Sequence, residues 1–261
     1  MKTVIVPVDF SETSLNAARY ATKLLTGHYG VTMVLFNFCD NENQIPEAIQ
    51  SLENLSVLLR DSGIVKTEIL AVSGPGFITE LDRMSREVEA DLIIMGITGR
   101  SPIGQSLIGS NTLKMVEKRT CPVLIVPSSA TYKDAKEVML TSDFDNVEFT
   151  TPAQQIKNVL NRLRPNLHIM NTDEEHYISI TEEYKAEREK LASLFAEFHP
   201  EFHFLTLNDV QDAIYQFAQD KQIDLIIIVH REQTLFSKLF VKSNTKRLAY
   251  YSTIPVLAVH E

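Results

Sequence analysis

The chain's 261 residues exceed one typical domain and suffice for two, and a 44% apolar share calls for a buried core rather than wholesale disorder. A formal charge of −9, with acidic residues in excess in both halves, excludes nucleic acid as the main partner, because a polyanion needs a concentrated basic face. No run of about 18 apolar residues is present to span a membrane, and Asp9 interrupts the short apolar N-terminal run too early for a signal peptide.

In chain order, "TVIVPV" is an unbroken apolar run of strand length. The segment after it, "DFSETSLNAARYATKLLTGHYG", puts Leu15, Ala18, Ala21, Thr22 and Leu25 at helical spacing. Ser11 or Thr13 serves as its N-cap, and Gly27 and Gly30 lie past its end. A strand "VTMVLFNF", a helix from about Pro46 to Leu59 and a strand "VKTEILAVSG" follow. The turn "GPG" leads into a helix through "ITELDRMSREVEA", and "DLIIMG" is the fourth strand. A helix over about Ser106 to Lys118 and a fifth strand, "CPVLIVP", complete the set. Strands buried on both faces read as continuous Val/Ile/Leu runs, so the pattern predicts a parallel sheet with helices on both sides.

The second half repeats this plan. At a constant offset of 133 residues, "DLIIM" from Asp91 falls on "DLIII" from Asp224, "GSNT" on "KSNT", and "CPVLIV" from Cys121 on "IPVLAV" from Ile254. Near the start of each half "VIVPVDFS" parallels "VMLTSDFD", which sets Asp9 against Asp143. The repeat predicts two tandem domains, residues 1–130 and 131–261, joined by a short polar linker from about Ser128 to Lys136.

The segment "GITGRSPIGQSLIGSNT", Gly96–Thr112, holds four of the nine glycines. Glycine admits positive φ and lets a ligand approach the main chain with no Cβ in the way. Placed between the C-terminal end of a parallel strand and a helix N-terminus, such a loop suits phosphate, which converging N–H groups and the helix dipole both favour. A Walker A loop is excluded, because in "GRSPIGQS" Gln105 stands where the phosphate-binding lysine belongs and the motif follows the fourth strand.

The spacing Gly96-x2-Gly99-x9-Gly109-Ser110, with "VPVDFS", "SLNAARYATKL" and "CPVLIVP", resembles the universal stress proteins, and the resemblance extends over essentially the whole chain as two consecutive domains. It implies two Rossmann-like α/β domains of the adenine nucleotide alpha hydrolase-like type, each with a five-stranded parallel sheet. It also implies that the first domain belongs to the ATP-binding branch of the family. On that basis Pro7, Val8 and Asp9 would wall the pocket, with Asp9 accepting from ribose or base, and the main chain of Phe38 would read the adenine edge. Gly96, Thr98, Gly99 and Arg100 would approach the ribose and phosphates, and Gly109, Ser110, Asn111 and Thr112 would supply donors at a helix start. The ligand would be ATP, with or without Mg2+, or ADP or AMP. The closing strands of the two domains would pair antiparallel as an intramolecular pseudo-dimer, with homodimerisation of the chain and a regulatory protein partner as further expectations.

In the second half Gly96 becomes Val229, Gly99 becomes Glu232, Gly109 becomes Lys242, and Pro7 becomes Thr141. A β-branched residue and a carboxylate are poor substitutes where backbone must meet phosphate, so only the first domain is expected to bind ATP. His199-x3-His203 has a helical metal spacing, but Pro200 lies between the two, and both read as surface histidines with no metal role. "ITEEYKAEREKLASLFAEF" reads as a surface helix. Cys39 and Cys121 read as reduced, buried thiols in a cytoplasmic protein. No catalytic residues are assigned. An ATP-binding stress-response sensor or regulator is the expected function, against a slow ATPase or phosphotransferase in the same pocket and a scaffold without nucleotide.

Overall fold

A computed structural model describes residues 1–97, 110–171, 181–204, 210–230 and 253–261. The chain divides into two compact units, Met1–Tyr132 and Lys133–Glu261.

In the first unit the strands are β1 (Thr3–Pro7), β2 (Thr32–Cys39), β3 (Lys66–Ser73), β4 (Leu92–Ile97) and β5 (Val123–Pro127). They lie in the order β3-β2-β1-β4-β5, and every pairing is parallel. Parallel neighbours need crossovers, supplied by α1 (Glu12–Leu25), α2 (Ile45–Leu59), α3 (Phe77–Glu87) and α4 (Ser110–Glu117). In α1 the apolar spacing turns Ala17, Ala18, Ala21, Leu24 and Leu25 inward. Ser11 is its N-cap, accepting from the Ser14 N–H. Beyond the helix Gly27 and Gly30 hold φ of +81° and +79° in open space, so backbone conformation and not crowding calls for glycine there.

The second unit contains β6 (Glu137–Ser142), β7 (Asn166–Asn171), β8 (Glu201–His203), β9 (Leu225–His230) and β10 (Val256–His260). Their order, β8-β7-β6-β9-β10, is again all parallel and repeats the first unit's topology. The repeat is not exact. The counterpart of α1 is broken into α5 (Val147–Thr150) and α6 (Ala153–Leu163). Pro152 lacks the N–H that would continue α5 and disfavours helical geometry at Thr151, whose φ and ψ are −101° and 112°. The charged segment after β7 forms α7 (Glu182–Leu194), capped by Thr181, with Tyr184 and Leu191 on its buried face and Phe195 buried just beyond its end. Helix α8 (Val210–Asp220) precedes β9.

The repeated aspartate of "DLII" does the same structural work twice. Asp91 Oδ2 accepts from the backbone N–H of Lys2 at 2.5 Å and Thr3 at 3.0 Å. Asp224 Oδ2 accepts from Lys136 at 2.8 Å and Glu137 at 3.1 Å, while Lys133 pairs with its other oxygen at 2.5 Å. Each carboxylate thus ties the entry of a unit's first strand to the entry of its fourth. Burial alone would raise the Asp224 carboxyl, but the bonds from Lys133, Glu137 and Lys136 outweigh it and hold it below the usual aspartate range. Because the folded value lies below the unfolded one, this stabilisation is present above the unfolded pKa and is lost as pH falls through the folded value. Asp224→Ala is expected to cost about 1–3 kcal/mol at neutral pH in urea unfolding, with the deficit shrinking in acid. A pH-independent deficit would contradict the assigned role.

Cys39 and Cys121 are both buried thiols outside any disulfide. Burial, with the nearby charges of Asp91 and Asp82, pushes the Cys121 thiol up to about 12, which leaves it unreactive. No helix among the described residues is long and apolar enough to cross a membrane.

Candidate functional site

In the first unit β2 and β4 flank β1 on opposite sides, so the strand order reverses between β1 and β4, the place where an open parallel sheet offers a crevice at the C-terminal strand ends. A cleft of about 430 Å³ lies there, within the roughly 300–1,000 Å³ common for small-molecule sites. Pro7, Val8 and Asp9 enter it from the end of β1, Phe38 from β2, Gly96 from β4, and Asn111 and Thr112 from the first turn of α4. Seven of the residues singled out in the sequence therefore converge on one cleft. Ser110 is the first residue of α4. Thr98, Gly99, Arg100 and Gly109 lie outside the described residues.

The strand-to-helix turn after β1 is built around Asp9. Its Oδ1 accepts from the Ser11 N–H at 3.0 Å and the Ser11 hydroxyl at 2.6 Å, and its own N–H donates to Ser14 Oγ at 3.3 Å. Phe10, between them, takes a φ of 61°. Partial burial raises the Asp9 carboxyl, but the hydrogen bonds from Ser11 and Ser14 outweigh that and hold it below the ordinary aspartate value. At neutral pH the cleft therefore presents an ionised carboxylate. Such a group welcomes hydroxyl and amine donors and repels phosphate.

Several wall residues carry no signal in the sequence. Asn37, buried in β2, donates from Nδ2 to the Val8 carbonyl at 2.7 Å, and the Val8 N–H donates to the Phe36 carbonyl at 2.7 Å. Together they extend the β1–β2 ladder to the rim. Phe77, at the start of α3, sets its ring 6.3 Å from that of Phe38 in an edge-on arrangement and gives the cleft an aromatic side. Ser11, Thr13 and Ser14 add hydroxyls from the start of α1. Only strand pairing and helix packing bring Asn37 and Phe77 to the cleft, whereas the hydroxyls of α1 lie next to Asp9 in sequence.

Packing alone requires glycine at 96. A Cβ there would stand 2.4 Å from the Thr13 carbonyl oxygen and 2.8 Å from its carbon, so α1 packs directly on bare β4 backbone. The close approach draws the hydroxyl-bearing start of α1 over the cleft.

The second unit keeps the turn and fills its surroundings. The Asp145 N–H donates to Asp143 Oδ1 at 3.3 Å, and Phe144 has a φ of 58°, both matching the turn at Asp9. Yet Phe10 is 38% exposed, whereas Phe144 is 4% exposed, packed among Tyr184, Phe202 and Phe204 with ring centroids 5.1, 5.9 and 6.2 Å away. Thr141 replaces Pro7 and is buried, and Val229 stands in β9 at the place of Gly96.

Of the two spaced histidines, only His203 departs from a surface position. His199 ends a short 3-10 turn and is exposed, while His203 lies in β8, partly covered and beside the buried His168.

Residues 1–127 and 164–260 match the sequence model described as "Universal stress protein family". A universal stress protein of Synechocystis sp. is 29% identical over 136 residues, which cover 48% of this chain and 85% of that protein. One from Methanocaldococcus jannaschii is 26% identical over 141 residues, covering 48% of this chain and 81% of that protein. Among solved structures, a universal stress protein of Archaeoglobus fulgidus superimposes with a TM-score of 0.68 at 18% identity, covering 99% of this chain and 98% of that one.

Proposed function

The chain belongs to the universal stress protein family, and on that premise we propose that it is a stress-response sensor or regulator that binds an adenine nucleotide, foremost ATP, in the cleft of its first unit. The observation that carries this reading is the composition of that cleft. An ionised Asp9, the aromatic pair Phe38 and Phe77, the bare backbone of Gly96 and the first turn of α4 all line it. A nucleoside needs an apolar slot for the base and acceptors for ribose hydroxyls, and a phosphate chain gains from a helix N-terminus. The glycines at 99 and 109 continue from β4 toward that helix in sequence. Mg2+ would be held mainly by the phosphates, with a free coordination sphere open to water.

The second unit is proposed to lack this activity. Burial of Phe144 in an aromatic cluster and the presence of Val229 in place of Gly96 both support that. It would act as a structural or partner-binding module, and self-association of the chain would serve regulation through a protein partner.

Protein purified without added ligand, then denatured, should release about one equivalent of adenine nucleotide identified by mass. Gly109→Leu should abolish it and Lys242→Leu should leave it intact. Absence of nucleotide, together with no binding of added ATP in calorimetry, would overturn the reading. ADP accumulating in the purified sample over time would shift it toward slow hydrolysis.

A further inference from the structure

The entry edge of the second unit's sheet, at the opposite strand ends from the Asp143 turn, gathers a cluster with different chemistry. Strand register sets His168 of β7 beside Glu201 of β8 and Met170 beside His203. Alternation along β8 puts Glu201 and His203 on one face, the face that His168 shares. His168 Nδ1 lies 3.1 Å from His203 Nε2 and 3.4 Å from Glu201 Oε2, and His203 Nε2 lies 3.7 Å from the same Glu201 oxygen. These three donor atoms thus form a small triangle. A tetrahedral zinc ion with bonds of about 2.0–2.1 Å holds its ligand atoms about 3.3–3.4 Å apart, which is the size of this triangle.

We propose that His168, Glu201 and His203 form a binding site for one divalent transition-metal ion of the zinc type, with Glu137 as the outer partner that orients His168. His168 Nε2 donates to Glu137 Oε2 at 2.7 Å, which turns the Nδ1 lone pair toward the triangle. Asn166 in turn donates to the other Glu137 oxygen at 2.8 Å, so the orienting carboxylate is itself fixed. The Phe217 ring packs 4.6 Å from His203 and 5.7 Å from His168, which restricts both imidazoles. His168 is buried while Glu201 is 63% exposed, which leaves the fourth position open toward solvent.

The internal repeat supplies a control within the chain. At the matching registers the first unit has Thr3, Val34, Glu68 and Leu70 where the second has Glu137, His168, Glu201 and His203. Only the carboxylate is common to both, and Glu68 pairs with Lys66 at 2.6 Å instead. The half that lost the phosphate-loop glycines thus carries both imidazoles and the orienting carboxylate. Lys221, 3.6 Å from Glu201 Oε2, opposes a cation there.

The full chain, stripped with a chelator, should take up one equivalent of Zn2+ in calorimetry. Co2+ in its place should give the intense visible absorption of a four-coordinate site. His203→Ala should weaken Zn2+ binding at least tenfold, Lys221→Gln should tighten it, and the exposed His199→Ala should leave it unchanged. Melting in chelator checks that each variant is folded. No uptake by the wild-type chain, or uptake equal in His203→Ala and wild type, would overturn the proposal and leave a hydrogen-bonded polar cluster. Neither result bears on nucleotide binding in the first unit.

Discussion

Gly96→Val, which copies into the first unit the residue that the second unit has at Val229, should lower stability by about 1–3 kcal/mol and empty the cleft. The added Cβ would meet the Thr13 carbonyl group, with 2.4 Å to the oxygen and 2.8 Å to the carbon. Backbone cannot rotate aside as a side chain does, so either β4 or the first turn of α1 must move, and overpacking of this kind typically costs that much. Thr13 and Ser14 belong to the same turn that wraps Asp9, so the movement reaches the ligand face directly. Urea unfolding monitored by circular dichroism should show an earlier midpoint with an unchanged slope, and co-purified nucleotide should disappear. If the midpoint stayed put while nucleotide was lost, glycine at 96 would serve the ligand alone. The reciprocal Val229→Gly should give the second unit no nucleotide, because Phe144 and its aromatic neighbours remain.

The packing at Gly96 shows where sequence reading stops. Val4–Val6, Met33–Phe36, Leu92–Met95 and Leu124–Val126 are buried apolar runs, and a continuous run of that length has little choice but a sheet covered on both faces. The tandem repeat fixed the second unit's topology by analogy, since the Asp91 and Asp224 bonds are the same in both. Local chemistry was legible too, as the Ser11 cap shows. Pairs that meet only through strand register or helix packing were not. Phe77 is 39 positions beyond Phe38, and no local pattern says that the two rings share a wall. The break between α5 and α6 falls at Pro152, where the repeat predicts a counterpart of α1. His203 invited comparison with His199 because a helical spacing is easy to see. Its partner is His168, 35 residues earlier, and only the β7–β8 register reveals it.

Asp9→Asn should separate the turn from the ligand. The carboxylate has two roles that alanine would remove together. It accepts from Ser11 to shape the entry to α1, and its charge is proposed to receive ribose or base donors. Asparagine keeps an Oδ1 acceptor and is at home in turns of this kind, so the fold should be nearly unaffected in urea unfolding. The exchange replaces a charged acceptor with a neutral one and one of its oxygens with a donor. A hydrogen bond to a charged group contributes about 1.5–3 kcal/mol, so nucleotide affinity should fall about 10- to 100-fold. Acid should mimic the substitution. Since the Asp9 carboxyl is held below its ordinary value of 3.8, binding to the wild-type protein should stay level through mildly acid pH and weaken only as pH falls below the unfolded carboxylate range. Calorimetric titration of ATP into both proteins at neutral pH is the decisive measurement. Equal affinity would remove Asp9 from the ligand site and leave it as the residue that begins α1.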